Sequence, residues 1–218
     1  AWRYMLILLP PSEGKREPED GKAFSLAALS FSDSLTDIRA PLIPTHAIGN
    51  RADCAHQIYS GVLYQALDWS SLTRKSQIRA NKVLLIFSGM YGILRMSDVI
   101  LPYKAKVKTS LWRAAIEKCL NPVEKSLIVD CRSSTYSAMW QPDFRITVMV
   151  RVFQIKNGRK SVITHMSKKY RGEVARWILE SPVLPETFED LQKLISQKFE
   201  FEFHPHSYSS PAYLDLLI

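Results

Sequence analysis

The sequence predicts a mixed α/β protein: one compact domain with a mixed central sheet, an antiparallel hairpin near residues 146–165 and flanking helices. Three observations carry this. Short runs dominated by apolar residues recur at Met5–Leu9, Val83–Phe87 and Leu127–Cys131, the pattern of strands buried on both faces. Asn157-Gly158 separates the β-branched runs Ile146–Ile155 and Ser161–His165, a strong hairpin signal. Within Lys168–Glu180, Tyr170, Val174, Trp177 and Ile178 fall at i, i+4, i+7 and i+8, which is one buried helical stripe.

Taken in order, Met5–Leu9 is a buried strand stopped by Pro10-Pro11, and Ser12-Glu13-Gly14-Lys15 is a polar loop. Residues 23–80 read as helices and loops with breaks at Pro41, Pro44 and Gly49-Asn50. Val83–Phe87 is a second strand ending in Ser88-Gly89, and Leu111–Leu120 is a helix closed by Asn121-Pro122. Leu127–Cys131 forms the third strand, followed by the hairpin and helices over Lys168–Glu180 and Glu186–Gln197. Phe199–Phe203 alternates strictly and predicts a strand. No linker divides the chain, so residues 5–218 read as a single domain and residues 1–4 as an N-terminal extension.

The 218 residues are 46% hydrophobic and 23% charged, enough for a proper core and too ordered in composition for long disorder. Net charge is +8 and it is concentrated. Between Arg74 and Arg113 nine basic residues face Asp98 alone, and between Lys156 and Arg176 seven face only Glu173. Such segments suit a polyanion, although a solvated face that keeps the protein soluble reads the same way. Three irregularly spaced cysteines, Cys54, Cys119 and Cys131, argue against a disulfide framework and for a reducing compartment. Met5–Leu9 is too short for a signal-peptide core or a membrane span, so a cytoplasmic protein is expected. Cys54-x-His56 and His204-Pro-His206 lack a matched second pair at zinc-site spacing, so neither a metal nor another cofactor is expected.

Polar groups cluster just past the ends of the predicted strands, where α/β sheets build their sites. Ser12-Glu13-Gly14-Lys15 offers Lys15 for a phosphate and Glu13 as a base, or it is an ordinary polar turn. Ser88-Gly89-Met90-Tyr91-Gly92 runs on to Arg95, Asp98 and Pro102-Tyr103-Lys104. Its two glycines permit close approach or positive φ, Arg95 suits phosphate, and Tyr91 or Tyr103 suits stacking on a base. The alternative is a structural glycine turn with Asp98 pairing Arg95. Arg132 with Ser133, Ser134 and Thr135 suits an anion or a helix cap. On the second basic stretch, Lys168, Lys169, Arg171 and Arg176 surround Gly172, whose place in a helix suggests close approach of a ligand or another backbone.

Together these segments resemble the YaaA family. The resemblance rests on LILLPPSEGK (6–15), IYSGVLYQAL (58–67), FSGMYGILRMSDVILPYK (87–104), 129–136 and KNGRKSVITHMSKKYRGEVARWI (156–178), in family order. It implies a single-domain α/β fold with a positively charged cleft, double-stranded DNA as partner, and protection from peroxide by limiting oxidative damage; no reaction is attached to it. The motif residues it carries over are Ser12, Lys15, Tyr59, Gly61, Ser88, Gly89, Tyr91, Gly92, Arg95, Asp98, Pro102, Tyr103, Lys169, Arg171 and Gly172. It also implies a helix-hairpin-helix-like element, to be sought over residues 40–57 or near Gly61. Met96 departs from a proline common in the family. The alternative function is an enzyme acting on a nucleotide or damaged base, with Glu13, Lys15, Tyr91, Arg95 and Asp98 sharing one pocket and Glu13 or Asp98 as catalytic carboxylate. A third reading, iron handling without DNA, has little support in the Cys and His pattern.

Overall fold

The apolar runs become the middle of an eight-stranded sheet in the computed structural model, which describes residues 4–44, 49 and 51–218. The strands are β1 (Tyr4–Leu9), β2 (Asp53–Cys54), β3 (Leu84–Ser88), β4 (Gly92–Leu94), β5 (Val99–Ile100), β6 (Lys125–Asp130), β7 (Thr147–Lys156), β8 (Arg159–Val162), β9 (Glu200–His204) and β10 (Ala212–Leu217). The helices are α1 (Ser32–Arg39), α2 (Ala55–Ile58), α3 (Val62–Leu67), α4 (Arg74–Val83), α5 (Thr109–Leu120), α6 (Ser134–Ser137), α7 (His165–Glu180) and α8 (Phe188–Ile195).

The large sheet runs β4-β3-β1-β6-β7-β10-β9, with β8 on β7 and a separate β2-β5 pair. β3, β1, β6, β7 and β10 are parallel, whereas β4, β8 and β9 join antiparallel. The chain leaves β1 for β3 on one side and returns to β6 on the other. The loops after β1, β3 and β6 therefore gather at one carboxyl edge beside this switch point.

Continuous apolarity in β1 follows from layers on both faces. Met5, Ile7 and Leu9 pack into a core with residues of α3, α4, α7 and α8, while Leu6 and Leu8 pack with Leu35 of α1 and Trp112 and Ile116 of α5. Local caps fix the helix starts: Ser76 N donates to Thr73 Oγ1 at α4, and Thr187 and Asp190 cap each other at α8. Gly172 is where α7 crosses α3. A Cβ there would run into the Leu63 carbonyl oxygen and lie 3.0 Å from Ala66 Cβ, so the close neighbour is backbone of this chain.

Three expectations change. The hairpin's second strand is Arg159–Val162 rather than Ser161–His165, because Asn157 and Gly158 turn with positive φ and Lys156 pairs directly with Arg159. His165 already opens α7, three residues before the expected start at Lys168. β10, which the sequence reading did not anticipate, lies between β7 and β9 near the sheet's far end. Part of the 40–57 stretch, namely 45–48 and 50, lies outside the described residues, as do residues 1–3; Tyr4 already belongs to β1.

Candidate functional site

The carboxyl edge of β1, β3 and β6 carries a hydrogen-bonded cluster of tyrosines around one lysine. β1 stops at Pro10, whose carbonyl accepts from Tyr64 Oη at 2.6 Å. The following loop is held by Ser12, whose hydroxyl donates to the Gly14 carbonyl at 2.6 Å and accepts from Gly61 N at 2.6 Å. A side chain at Gly61 would collide with that hydroxyl, which is the local reason for glycine there. Lys15 bridges in antiparallel fashion to Tyr59, and its Nζ donates to the Ser12 carbonyl at 2.7 Å.

Lys15 Nζ lies 4.2 Å from the centre of the Tyr103 ring and 5.8 Å from that of Tyr59. Tyr103 Oη shares hydrogen bonds of 2.7 Å with both Tyr59 Oη and Ser88 Oγ. Burial, with nearby Lys104 adding to it and Glu13 opposing, pulls the Lys15 ammonium below its ordinary pKa. Burial pushes Tyr103 up to about 12 and Tyr59 and Tyr64 well above the usual phenol value. The phenols therefore stay protonated at neutral pH and act as donors, an array suited to an anion or a polarised carbonyl.

Next to this cluster a cavity of about 350 Å³ is lined by Ser12, Glu13, Tyr64, Ser133, Tyr136, Lys168 and Arg171, among others. That is within the range of about 300–1,000 Å³ typical of small-molecule sites. Arg171 donates through Nε to the Val150 carbonyl at 3.2 Å. Among the described residues, Lys168 has no ion-pair partner and the Tyr136 and Ser133 hydroxyls have no hydrogen bond. Glu13 is the exposed carboxylate of this wall.

Ser88-Gly89-Met90-Tyr91-Gly92 is a self-contained turn. Ser88 Oγ accepts from Met90 N and Tyr91 N, and Tyr91 Oη bonds both the amide and the carbonyl of Leu101. Gly89 is approached by the chain's own Lys106–Val107 backbone, where a Cβ would stand 3.3 Å away. Gly92 takes positive φ against Trp112. The segment carrying exposed Lys104, Lys106 and Lys108 thus crosses the end of β3.

The shared pocket of Glu13, Lys15, Tyr91, Arg95 and Asp98 is not formed. β4 runs antiparallel to β3, so Arg95 is carried back to the amino edge, where it lines a different cavity with Leu6, Leu85 and Lys125. Its guanidinium donates to the Asn81 and Lys82 carbonyls, and burial lowers its pKa, with Asp98 opposing. Asp98 is buried and accepts from Ser30 N, Ser30 Oγ and Arg95 N at 2.8–2.9 Å. Arg132 is 1% exposed and pairs bidentately with Asp130 at 2.7 and 2.9 Å, donating also to the Trp140 carbonyl. Arg176 donates to the Leu67 and Asp68 carbonyls at the end of α3, and Lys169 faces Glu173 at 3.7 Å.

Tyr64, Tyr136 and the buried Arg39 stand beyond the sequence-based site residues. Arg39 donates to the Tyr91 and Ile93 carbonyls, and burial brings it down to about 10. Nothing in its neighbourhood in sequence signals this, because the carbonyls it serves lie more than fifty residues away. Glu202, His204 and Asp215 bring ligand atoms within 4.8 Å of one another. Asp215 there is already paired with Arg151 at 2.6 Å and Lys160 at 2.8 Å, an arrangement that describes an ion-pair network. No helix among the described residues is long and apolar enough to cross a membrane.

Comparison with known proteins follows the whole chain. A family model described as peroxide stress protein YaaA matches residues 26–205. A UPF0246 protein of Streptomyces coelicolor is 30% identical over 98% of each chain. UPF0246 proteins of Corynebacterium efficiens and Corynebacterium glutamicum are 32% and 30% identical, covering 82% and 87% of this chain and 86% and 91% of theirs.

Proposed function

Since this chain belongs to the peroxide stress protein YaaA family, we propose that it acts in the cytoplasm, binding double-stranded DNA through a basic cleft at the carboxyl edge and thereby limiting oxidative damage. The observation that carries the reading is the set of cations left without partners at that edge. Lys104, Lys106, Lys108 and Lys168 are exposed and have no ion pair among the described residues, and Arg171 keeps its terminal nitrogens free of protein acceptors. Lysines of this kind neutralise phosphates without reading sequence. The short helices α2 and α3 are joined through Tyr59-Ser60-Gly61, the stretch in which the helix-hairpin-helix-like element implied by the family resemblance would be sought.

Anisotropy of a labelled duplex across a salt titration tests this. Log affinity should fall linearly with log salt, and each phosphate contact removed, by Lys168→Ala or Lys104→Ala, should flatten the slope by about 0.9. Undetectable binding at low salt, or a slope indifferent to salt, would sink the proposal.

The neighbouring cavity favours a second reading, an enzyme acting on a nucleotide or damaged base. A lysine of lowered pKa against hydrogen-bonded tyrosines is equipment for proton transfer. Glu13→Gln and Lys15→Met would abolish turnover of such a substrate while leaving duplex binding in place. Turnover surviving both substitutions would rule out chemistry at this cluster.

A further inference from the structure

We infer that the cavity at the amino edge of the sheet, between the start of α1 and the end of α5, binds a small amphiphilic carboxylate. Its hydrocarbon body would lie against leucines of the sheet and α5, and its two oxygens on the open fork of Arg95. This site is at the opposite edge from the proposed DNA cleft and does not rest on that reading.

The cavity measures about 460 Å³, within the size range of small-molecule sites. Leu6 of β1, Leu85 of β3 and Leu120 of α5 line it, and all three are buried. Phe31, just before α1, and Val123, between α5 and β6, complete the apolar lining. Val123 is 43% exposed, so it stands where the cavity meets solvent. Such side chains offer a ligand no hydrogen bond, and the part of it that lies against them must be hydrocarbon.

The remaining lining is cationic. Lys82, Arg95 and Lys125 border the cavity, and no carboxylate lines it among the described residues. Arg95 is fastened through one nitrogen: Nη1 donates to the Asn81 and Lys82 carbonyls, while the guanidinium carbon lies 5.4 Å from the centre of the Phe31 ring. Nε and Nη2 donate to nothing among the described residues. These are the two nitrogens with which Arg132 and Arg151 grip Asp130 and Asp215 elsewhere in this chain, the fork that matches a carboxylate. Burial lowers the pKa of Arg95, with Asp98 opposing, and burial lowers that of Lys125 as well. Asp98 meets Arg95 at its backbone amide, so the guanidinium is left without a carboxylate hydrogen bond. A bound anion would relieve both half-buried cations at once. A phosphate dianion would have to shed its water against leucine, so a monoanion with a hydrocarbon body suits the lining.

Isothermal titration calorimetry of the full chain with decanoate, below its micelle concentration, tests this. One saturable site is expected, and octanoate should bind about tenfold more weakly, the effect of two buried methylenes. Decanol, which keeps the body and lacks the charge, should also bind about tenfold more weakly. Arg95→Lys removes the fork and should weaken decanoate about tenfold while leaving decanol unchanged. Val123→Asp changes an exposed position, so the fold should tolerate it, and its like charge should weaken decanoate but not decanol. Absence of decanoate binding would overturn the assignment, as would decanol binding as tightly as decanoate or inorganic phosphate displacing decanoate at equal concentration. Decanoate affinity unmoved in a folded Arg95→Lys or in Val123→Asp would overturn it too.

Discussion

The two edges of the central sheet use positive charge in opposite ways. At the amino edge Arg95 serves the Asn81 and Lys82 carbonyls, with Asp98 fastening its backbone to Ser30. At the carboxyl edge Lys104, Lys106 and Lys168 stand in solvent without ion pairs among the described residues. The same division holds more widely: Arg39, Arg79, Arg132 and Arg176 all donate to backbone carbonyls within the fold. A planar guanidinium can fork onto two carbonyls and is weakly hydrated, whereas an ammonium is a strongly hydrated point charge that stays in water. Net charge counted along the sequence therefore overstates the charge available to a partner, and the residue type tells which part is left.

Four substitutions break or sharpen that contrast. Arg132→Ala leaves Asp130 buried and unpaired and should cost about 3–5 kcal/mol in urea unfolding; a loss under about 1 kcal/mol would mean that the pair is solvated. Gly172→Ala pushes α7 off the Leu63 carbonyl, and about 1–3 kcal/mol is expected from overpacking, read as a lowered thermal midpoint. Arg95→Lys should weaken the fold by about 1–2 kcal/mol through lost carbonyl hydrogen bonds while leaving the salt slope of DNA binding unchanged. If that slope flattens instead, Arg95 reaches phosphate and the contrast between the edges fails. Lys168→Ala is the mirror case: stability should move by less than about 0.5 kcal/mol, and its effect should appear only in the salt slope.

Much of the fold was legible because its signals are local. The apolar runs at β1, β3 and β6, the Asn157-Gly158 turn and the stripe on α7 each announce an element within about ten residues. β10 was not legible because Asp215 interrupts its apolar run, and only its register with β7, which also carries β8, brings Arg151 and Lys160 to neutralise it. The candidate site divides in the same manner. The strand-end position of Ser12, Lys15 and Ser88 followed from the sequence, as did the need for glycine near them.

What the sequence determined by itself is the central buried strands, the hairpin turn, the family and the surplus of positive charge, since periodicity, motif and count are properties of the chain. Only the tertiary structure decided which charges remain free. The antiparallel return of β4 sends Arg95 to the opposite edge from Lys15, although eleven residues of matching motif join Ser88 to Asp98. Whether a polar side chain meets a carbonyl, a partner charge or solvent depends on sheet order and strand direction, and those are settled by long-range packing.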